Sequence, residues 1–162
     1  KNNIISFVGK LNRSKGFHLF GNVIVKILNK YKNWKGIVVG DEPREKYNFK
    51  HKNLKYVGWI SHEKTLELYN LTSISVAPSF WEEPFGRTSM EAASRGCATI
   101  ISKKGGGNLY NILSMLTKTS CKIIEVSGCI TAKLNYMHLD ISFAIRRWKS
   151  LVLWNIQFAK PK

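Results

Sequence analysis

Short apolar runs alternate with longer stretches of helical periodicity through the first two thirds of the chain. Ile4-Ile5-Ser6-Phe7-Val8 is a nearly continuous apolar run stopped by Gly9, the pattern of a strand buried on both faces. After a polar loop, Phe17, Phe20, Ile24, Ile27, Leu28 and Tyr31 recur at spacings of three and four, which predicts an amphipathic helix over 17–33. Gly21 weakens that helix without breaking its pattern. A second strand is predicted at 36–39, ended by Gly40-Asp41-Glu42-Pro43, and the polar stretch 44–53 reads as a connection or a short helix. The third strand is predicted at 54–57, stopping at Gly58. Ser61 is placed to cap a helix over 62–70 whose Leu66 and Tyr69 face inward. Residues 74–77 form a fourth strand, a Pro- and Gly-punctuated turn opens a helix after them, and residues 98–102 form a fifth strand. Strand and helix thus alternate with short links, which predicts an α/β fold: a parallel sheet covered by helices on both faces, joined by right-handed crossovers.

The pattern changes after Lys104. Gly105-Gly106-Gly107 gives a flexible turn, periodicity becomes patchy, and from there to the end only Glu125 and Asp140 are acidic. A strand at Ile123, Ile124 and Val126 and a helix over 141–154 with Arg146 and Arg147 exposed are the elements read in this stretch. The organisation expected is one domain over 1–106 and a tail over 107–162.

Composition adds two constraints. With 162 residues and 44% hydrophobic content the chain can bury a core, and it does not have the composition of a disordered protein. Lys and Arg number 26 against 10 Asp and Glu, a formal charge of +16, which admits nucleic acid, an anionic membrane surface or phosphorylated substrates as partners. The positive residues are spread along the chain and interleaved with Asn, as on solvated faces, so a basic module that binds nucleic acid or an anionic membrane is the second reading and not the first. Cys97, Cys121 and Cys129 are odd in number and match no metal or disulfide spacing, which fits a reducing compartment; Cys97 reads as a core residue. No signal peptide and no apolar run of membrane-spanning length is present in the sequence. The chain lacks an initiator Met and enters a strand at once, and reads as part of a longer protein.

Candidate chemistry gathers at two loops. Lys10 and Lys15 flank the first loop, and Lys15-Gly16 stands where the first helix begins; free N–H groups and the helix dipole favour an anion there, and two ammonium groups can share a diphosphate. In Ser79-Phe80-Trp81-Glu82-Glu83-Pro84-Phe85-Gly86-Arg87-Thr88-Ser89-Met90-Glu91-Ala92-Ala93, two carboxylates eight apart bracket the start of a helix. Glu83 and Glu91 each present two acceptor oxygens suited to sugar hydroxyls or a vicinal diol, and Gly86 lets backbone amides approach a ligand closely. The purely structural alternative for Glu91 is a capping box, since Thr88-x-x-Glu91 fits that signature; for Glu82 it is a solvated charge. His18, His51 and His62 have no partner in sequence and read as surface or packing residues. Trp34, Trp59, Trp81 and Trp148 do not make a stacking platform for single-stranded nucleic acid.

Gly9-Lys10-Leu11-Asn12-Arg13-Ser14-Lys15-Gly16, Gly40-Asp41-Glu42-Pro43, Val57-Gly58-Trp59-Ile60 and Pro78-Ser79-x-x-Glu82-Glu83-Pro84-Phe85-Gly86-x-x-x-x-Glu91-Ala92, in that order, resemble the C-terminal domain of family 4 retaining glycosyltransferases of the GT-B fold, glycosyl transferases group 1. The resemblance extends from Ile4 to about Gly106. It implies a Rossmann-like half-domain in which Gly9, Lys10 and Lys15 hold the donor diphosphate. Glu83 and the amides around Phe85, Gly86 and Arg87 then hold the transferred sugar, Glu91 holds the ribose, and the base lies against Gly58, Trp59 and Ile60. Glu83, Lys15 and Lys10 are the residues it implies for catalysis. The donor implied is a UDP- or GDP-sugar, transferred with retention to a glycan or lipid-linked acceptor in envelope polysaccharide or glycan synthesis. Neither a metal nor another cofactor is expected, since the chain has no Asp-x-Asp, no Gly-x-x-x-x-Gly-Lys-Ser/Thr loop and no His-Glu-x-x-His. The reaction implied stabilises a departing diphosphate by preorganised charge, so the two glutamates are not the acid and nucleophile of a retaining hydrolase. Lys10 stands where the family commonly has Arg, which keeps the charge and loses the bidentate fork. The implied location is cytoplasmic or peripheral on the inner membrane face. The family's N-terminal domain, which supplies the acceptor site, has no counterpart in these residues, so little or no transfer is expected of this chain alone. The tail departs from the family pattern and reads as a divergent ending or an out-of-frame translation.

Overall fold

The protein is represented by a computed structural model that describes residues 1–81 and 86–102, and the backbone of two further strands at 121–126 and 129–134. Five parallel strands form the body of the sheet: β1 (Asn2–Val8), β2 (Lys35–Val39), β3 (Leu54–Gly58), β4 (Thr72–Ala77) and β5 (Ala98–Ser102). Three helices connect them, α1 (Phe17–Lys30), α2 (His62–Leu71) and α3 (Arg87–Ser94). Beyond β5 the backbone adds an antiparallel hairpin of β6 (Cys121–Val126) and β7 (Cys129–Leu134), giving the order β3-β2-β1-β4-β5-β7-β6. β6 takes in the stretch expected to be a strand, and β7 is not among the predicted elements. The boundary drawn at residue 106 and the helix expected over 141–154 lie outside the described residues.

Side chains alternate across the strands, so the central strands face a core on either side of the sheet. Ile5 and Phe7 of β1, Val38 of β2, Ile74 and Val76 of β4, and Ala98 and Ile100 of β5 pack against Phe17, Phe20, Val23, Ile24, Ile27 and Leu28 of α1. On the opposite face Val8 meets Tyr69 of α2, Ala92 of α3 and Cys97. That second face is lined with small polar groups, Ser6, Ser75 and Thr99, all buried. Helices therefore cover both faces, as the alternation predicts. Ser61 caps α2 as expected, its hydroxyl accepting from the Lys64 amide at 3.4 Å.

The connection 44–53 is irregular and is not a helix. It lays Tyr47 and Phe49 over α1, with Phe17 edge-on to both rings at 5.4 and 5.9 Å between centroids. This explains Gly21, since a Cβ there would run into the Phe49 ring. The helix trades propensity for an aromatic contact.

Gly16, at the N-cap of α1, has φ of 71°, and a side chain there would collide with the Pro78 carbonyl. Gly58 shares the left-handed conformation at φ of 75° but faces open space. Gly16→Ala is therefore expected to destabilise the fold by about 2 kcal/mol or more, combining backbone strain with the collision. Gly58→Ala should cost only the strain, about 1 kcal/mol. Thermal denaturation followed by circular dichroism checks the ranking, and equal melting temperatures for the two variants would refute it.

Candidate functional site

The strand order locates the site. From β1 the chain moves outward through β2 to β3, then returns to β4 on the other side of β1. The loops after β1 and β4 consequently lead to helices on opposite faces, α1 and α3, and part at the carboxyl ends of two neighbouring strands. Crevices of this kind are where ligands bind in open α/β sheets. A pocket of about 80 Å³ lies there, lined by Phe7, Val8, Gly9, Lys15, Ala77, Ser79, Arg87 and Thr88.

Both helices that start at this pocket begin in the same unusual way. Gly16 and Gly86 are their N-caps, each in the left-handed conformation, with no side-chain cap and no acidic residue in the first turn. The positive ends of two helix dipoles thus meet no capping side chain or first-turn carboxylate, and Lys15 and Arg87 add two cationic side chains to the pocket wall. The arrangement suits a dianionic or more highly charged group.

A buried carboxylate holds the first loop in shape. Asn12 accepts from the Lys15 amide at 2.9 Å through its side-chain oxygen, and its side-chain NH₂ donates to Glu42 at 3.3 Å. Glu42, with a side chain 4% exposed, also accepts from Arg44 Nε at 2.8 Å and Nη2 at 3.1 Å. The Arg44 guanidinium holds the Glu42 carboxyl well below its usual range, at about 2, against an opposing contribution from burial. Nearby, Glu45 accepts from the Arg13 amide at 2.9 Å and from the Tyr47 hydroxyl at 2.7 Å. The loop is then tied to its neighbour by Ser14, whose carbonyl accepts from the Phe80 amide at 2.8 Å and the Ser79 hydroxyl at 3.2 Å. The His18 ring stacks on Phe80 at 5.4 Å, and burial lowers its pKa. His18 thus has the packing role expected of it.

Gly9, Lys15 and Arg87 of the expected site line one pocket, and Gly86 caps the helix beside it. Lys10 is exposed at the loop's outer end and is not among the pocket-lining residues. Gly58 is joined to the centre of the sheet edge by a chain of backbone bonds, Gly9 N–H to Val39 and Gly40 N–H to Gly58. Trp59 is 81% exposed and Ile60 is half-buried. Glu82, Glu83 and Phe85 lie outside the described residues.

Glu91 does not take part in a capping box. With Gly86 as the N-cap, Thr88 sits inside the first turn and caps nothing. Glu91 Oε1 instead lies 3.1 Å from His62 Nε2 and 3.6 Å from Arg87 Nε. His62 opens α2 immediately after the Trp59-Ile60 turn, so this contact brings Glu91 to the segment expected to meet a base. Sequence reasoning missed Glu42, Asn12 and His62. Asn12 left a local signal, three residues before the amide it binds; the other two act across long stretches of chain.

Residues 1–115 match the family model described as glycosyl transferases group 1. The chain belongs to that family. Among curated proteins, this chain is 29% identical over 111 residues to an uncharacterized glycosyltransferase of Methanocaldococcus jannaschii, covering 64% of this chain and 28% of that one. It is 27% identical over 133 residues to glycogen synthase of Mycobacterium tuberculosis, covering 78% and 32%. It therefore spans less than a third of the curated relatives named here. The fold matches the C-terminal domain of a group 1 glycosyl transferase from Francisella tularensis, with TM-score 0.56, 24% identity, and 72% and 76% of the two chains covered. It also matches HepE of Anabaena, with TM-score 0.57, 18% identity, and 97% and 40% covered. The described residues thus have the Rossmann-like fold of a GT-B half-domain, as the sequence resemblance implied.

The depressed pKa of Glu42 has a sign that can be checked. Its carboxylate form is favoured by the fold, so between its ordinary value of 4.5 and about 2 the unfolded chain binds more protons and stability falls as pH falls. Denaturant midpoints measured across that window should show a decline that Glu42→Gln lessens, and an unchanged acid dependence in the variant would contradict this role for Glu42.

Proposed function

We propose that this chain holds the nucleoside-diphosphate sugar donor of a retaining family 4 glycosyltransferase. The observation that carries the reading is the pocket between β1 and β4, where Lys15, Arg87 and two uncapped helix N-termini converge. Two ionised phosphates match that charge, and the glycosyltransferase family supplies the chemistry in which such a group departs. The solved HepE relatives are complexes with UDP, with UDP and glucose, and with UDP-glucose, which supports UDP as the first nucleotide to test.

In this reading Lys15, Lys10, Arg87 and the helix dipoles bear the charge of the leaving diphosphate, so that no metal ion is needed for it. Glu83 and the amides of Phe85 and Gly86 hold the transferred sugar, Glu91 accepts from the ribose diol, and the base rests on the Gly58-Trp59-Ile60 turn. The acceptor, a glycan or a lipid-linked sugar of envelope polysaccharide, approaches the same face from which the diphosphate leaves, and retention follows. A second domain supplies the acceptor site, so the isolated chain binds donor and transfers little. The location proposed is cytoplasmic or peripheral on the inner membrane face; separately, no helix among the described residues is long and apolar enough to cross a membrane.

Calorimetric titration with UDP and GDP tests the reading. Lys15→Ala and Glu91→Ala should each weaken binding roughly tenfold or more, the size expected for a lost charge-assisted hydrogen bond. Binding to polyanions that ignores Glu91→Ala and falls steeply with salt would favour a basic binding module instead. Failure to bind either nucleotide would overturn the donor site, and turnover of a UDP-sugar by this chain alone would overturn its dependence on a second domain.

A further inference from the structure

We infer that His62 is a positioning residue for Glu91, fixing the carboxylate for a vicinal diol. The inference rests on the ribose role proposed above for Glu91 and concerns how that role is made possible. The Glu91 side chain is 21% exposed, on the first turns of α3, where a free glutamate would sample several rotamers. Two groups restrain it. Arg87 lies one turn earlier on the same helix, its Nε 3.6 Å from Oε1, but its own side chain is 77% exposed and the spacing is longer than a hydrogen bond. His62 comes from a different helix and reaches the same oxygen at 3.1 Å, within hydrogen-bonding distance.

Two features make His62 the more exacting restraint. It stands at the first position of α2, directly after the Ser61 cap, so its backbone is held by a capped helix end. Its imidazole has two rotatable bonds, fewer than the arginine side chain, and loses less freedom on docking. Since Glu91 as a carboxylate only accepts, Nε2 must carry the proton, in the neutral Nε2–H tautomer or the imidazolium. Neither His62 nor Arg87 uses Oε2. Oε1 is held from the α2 side, while Oε2 and the remaining lone pair of Oε1 stay available to the two hydroxyls of a diol. The groups facing His62 from α3 are Glu91 and, through the shared oxygen, Arg87.

The experiment compares UDP with its 2′,3′-dideoxy analogue, which keeps the base and diphosphate but lacks the diol, on the full chain and its variants. His62→Ala is expected to weaken UDP about three- to tenfold, the size of one ordinary net hydrogen bond and less than the loss from removing Glu91 itself, and to leave the dideoxy analogue within about twofold. His62→Gln, whose amide nitrogen reaches the place of Nε2, should recover most of the loss. Unchanged thermal melting of both variants separates positioning from folding. Should His62→Ala leave UDP binding intact while Glu91→Ala still weakens it, the inference falls and the ribose role of Glu91 stands. Equal losses for UDP and the dideoxy analogue, or no recovery in His62→Gln, also overturn it. If Glu91→Ala itself has no effect on UDP, the ribose assignment fails first and the inference with it.

Discussion

The carbonyl oxygen of Ser14 joins the two loops on which the site is built. It accepts from the Phe80 amide, from the Ser79 hydroxyl and, at 3.3 Å, from the Trp81 amide. These loops follow β1 and β4, strands that are neighbours in the sheet although 63 residues of chain lie between the end of one and the start of the other. The bond is possible only because Gly16 has no side chain, so that the first loop can press against the Pro78 carbonyl. Once the loops are joined, the starts of α1 and α3 face one pocket, and the orientation of both dipoles is settled.

Charge then distributes itself by position. The pocket wall carries Lys15 and Arg87, while Glu42 and Glu45 lie behind the first loop and bind its backbone or its asparagine. Carboxylates placed there shape the cationic loop from the rear and leave the pocket face positive. An overall charge of +16 contributes little to this specificity, since scattered surface lysines attract any anion and are screened by salt. In the donor site proposed above, discrimination for a nucleotide rests on fixed dipoles, two local cations and a carboxylate one turn further along α3.

The aromatic residues play a parallel part on the outer flank. Tyr47 and Phe49 stack on each other at 5.8 Å and close over Phe17, the first residue of α1. The irregular connection between β2 and β3 thus buttresses the same helix start that faces the pocket. A loop without regular structure is made definite by ring contacts, and Gly21 is the accommodation that α1 makes for it.

Most of the elements were legible in the sequence because their signals are local. Apolar runs mark β1 to β5, the first three ended by glycine, the three-and-four spacing marks α1, and Ser61 marks the start of α2. The loops after β1 and β4 stood out as candidate sites because lysine, glycine and glutamate stand there in the pattern of a family. What the sequence could not reveal is which distant groups meet. His62 and Glu91 are 29 residues apart and Asn12 and Glu42 are 30 apart, and no period links them. The Thr88-x-x-Glu91 pattern reads the same whether or not Thr88 is the cap; the left-handed Gly86 decided that it is not, and freed Glu91 to reach α2. The sequence by itself determined the five parallel strands, the helices between them and the composition of the loops at their ends. Strand order, which brings β1 beside β4 and α2 beside α3, decided which of those ends share a site, because periodicity is a property of neighbours along the chain and pairing is a property of neighbours in space.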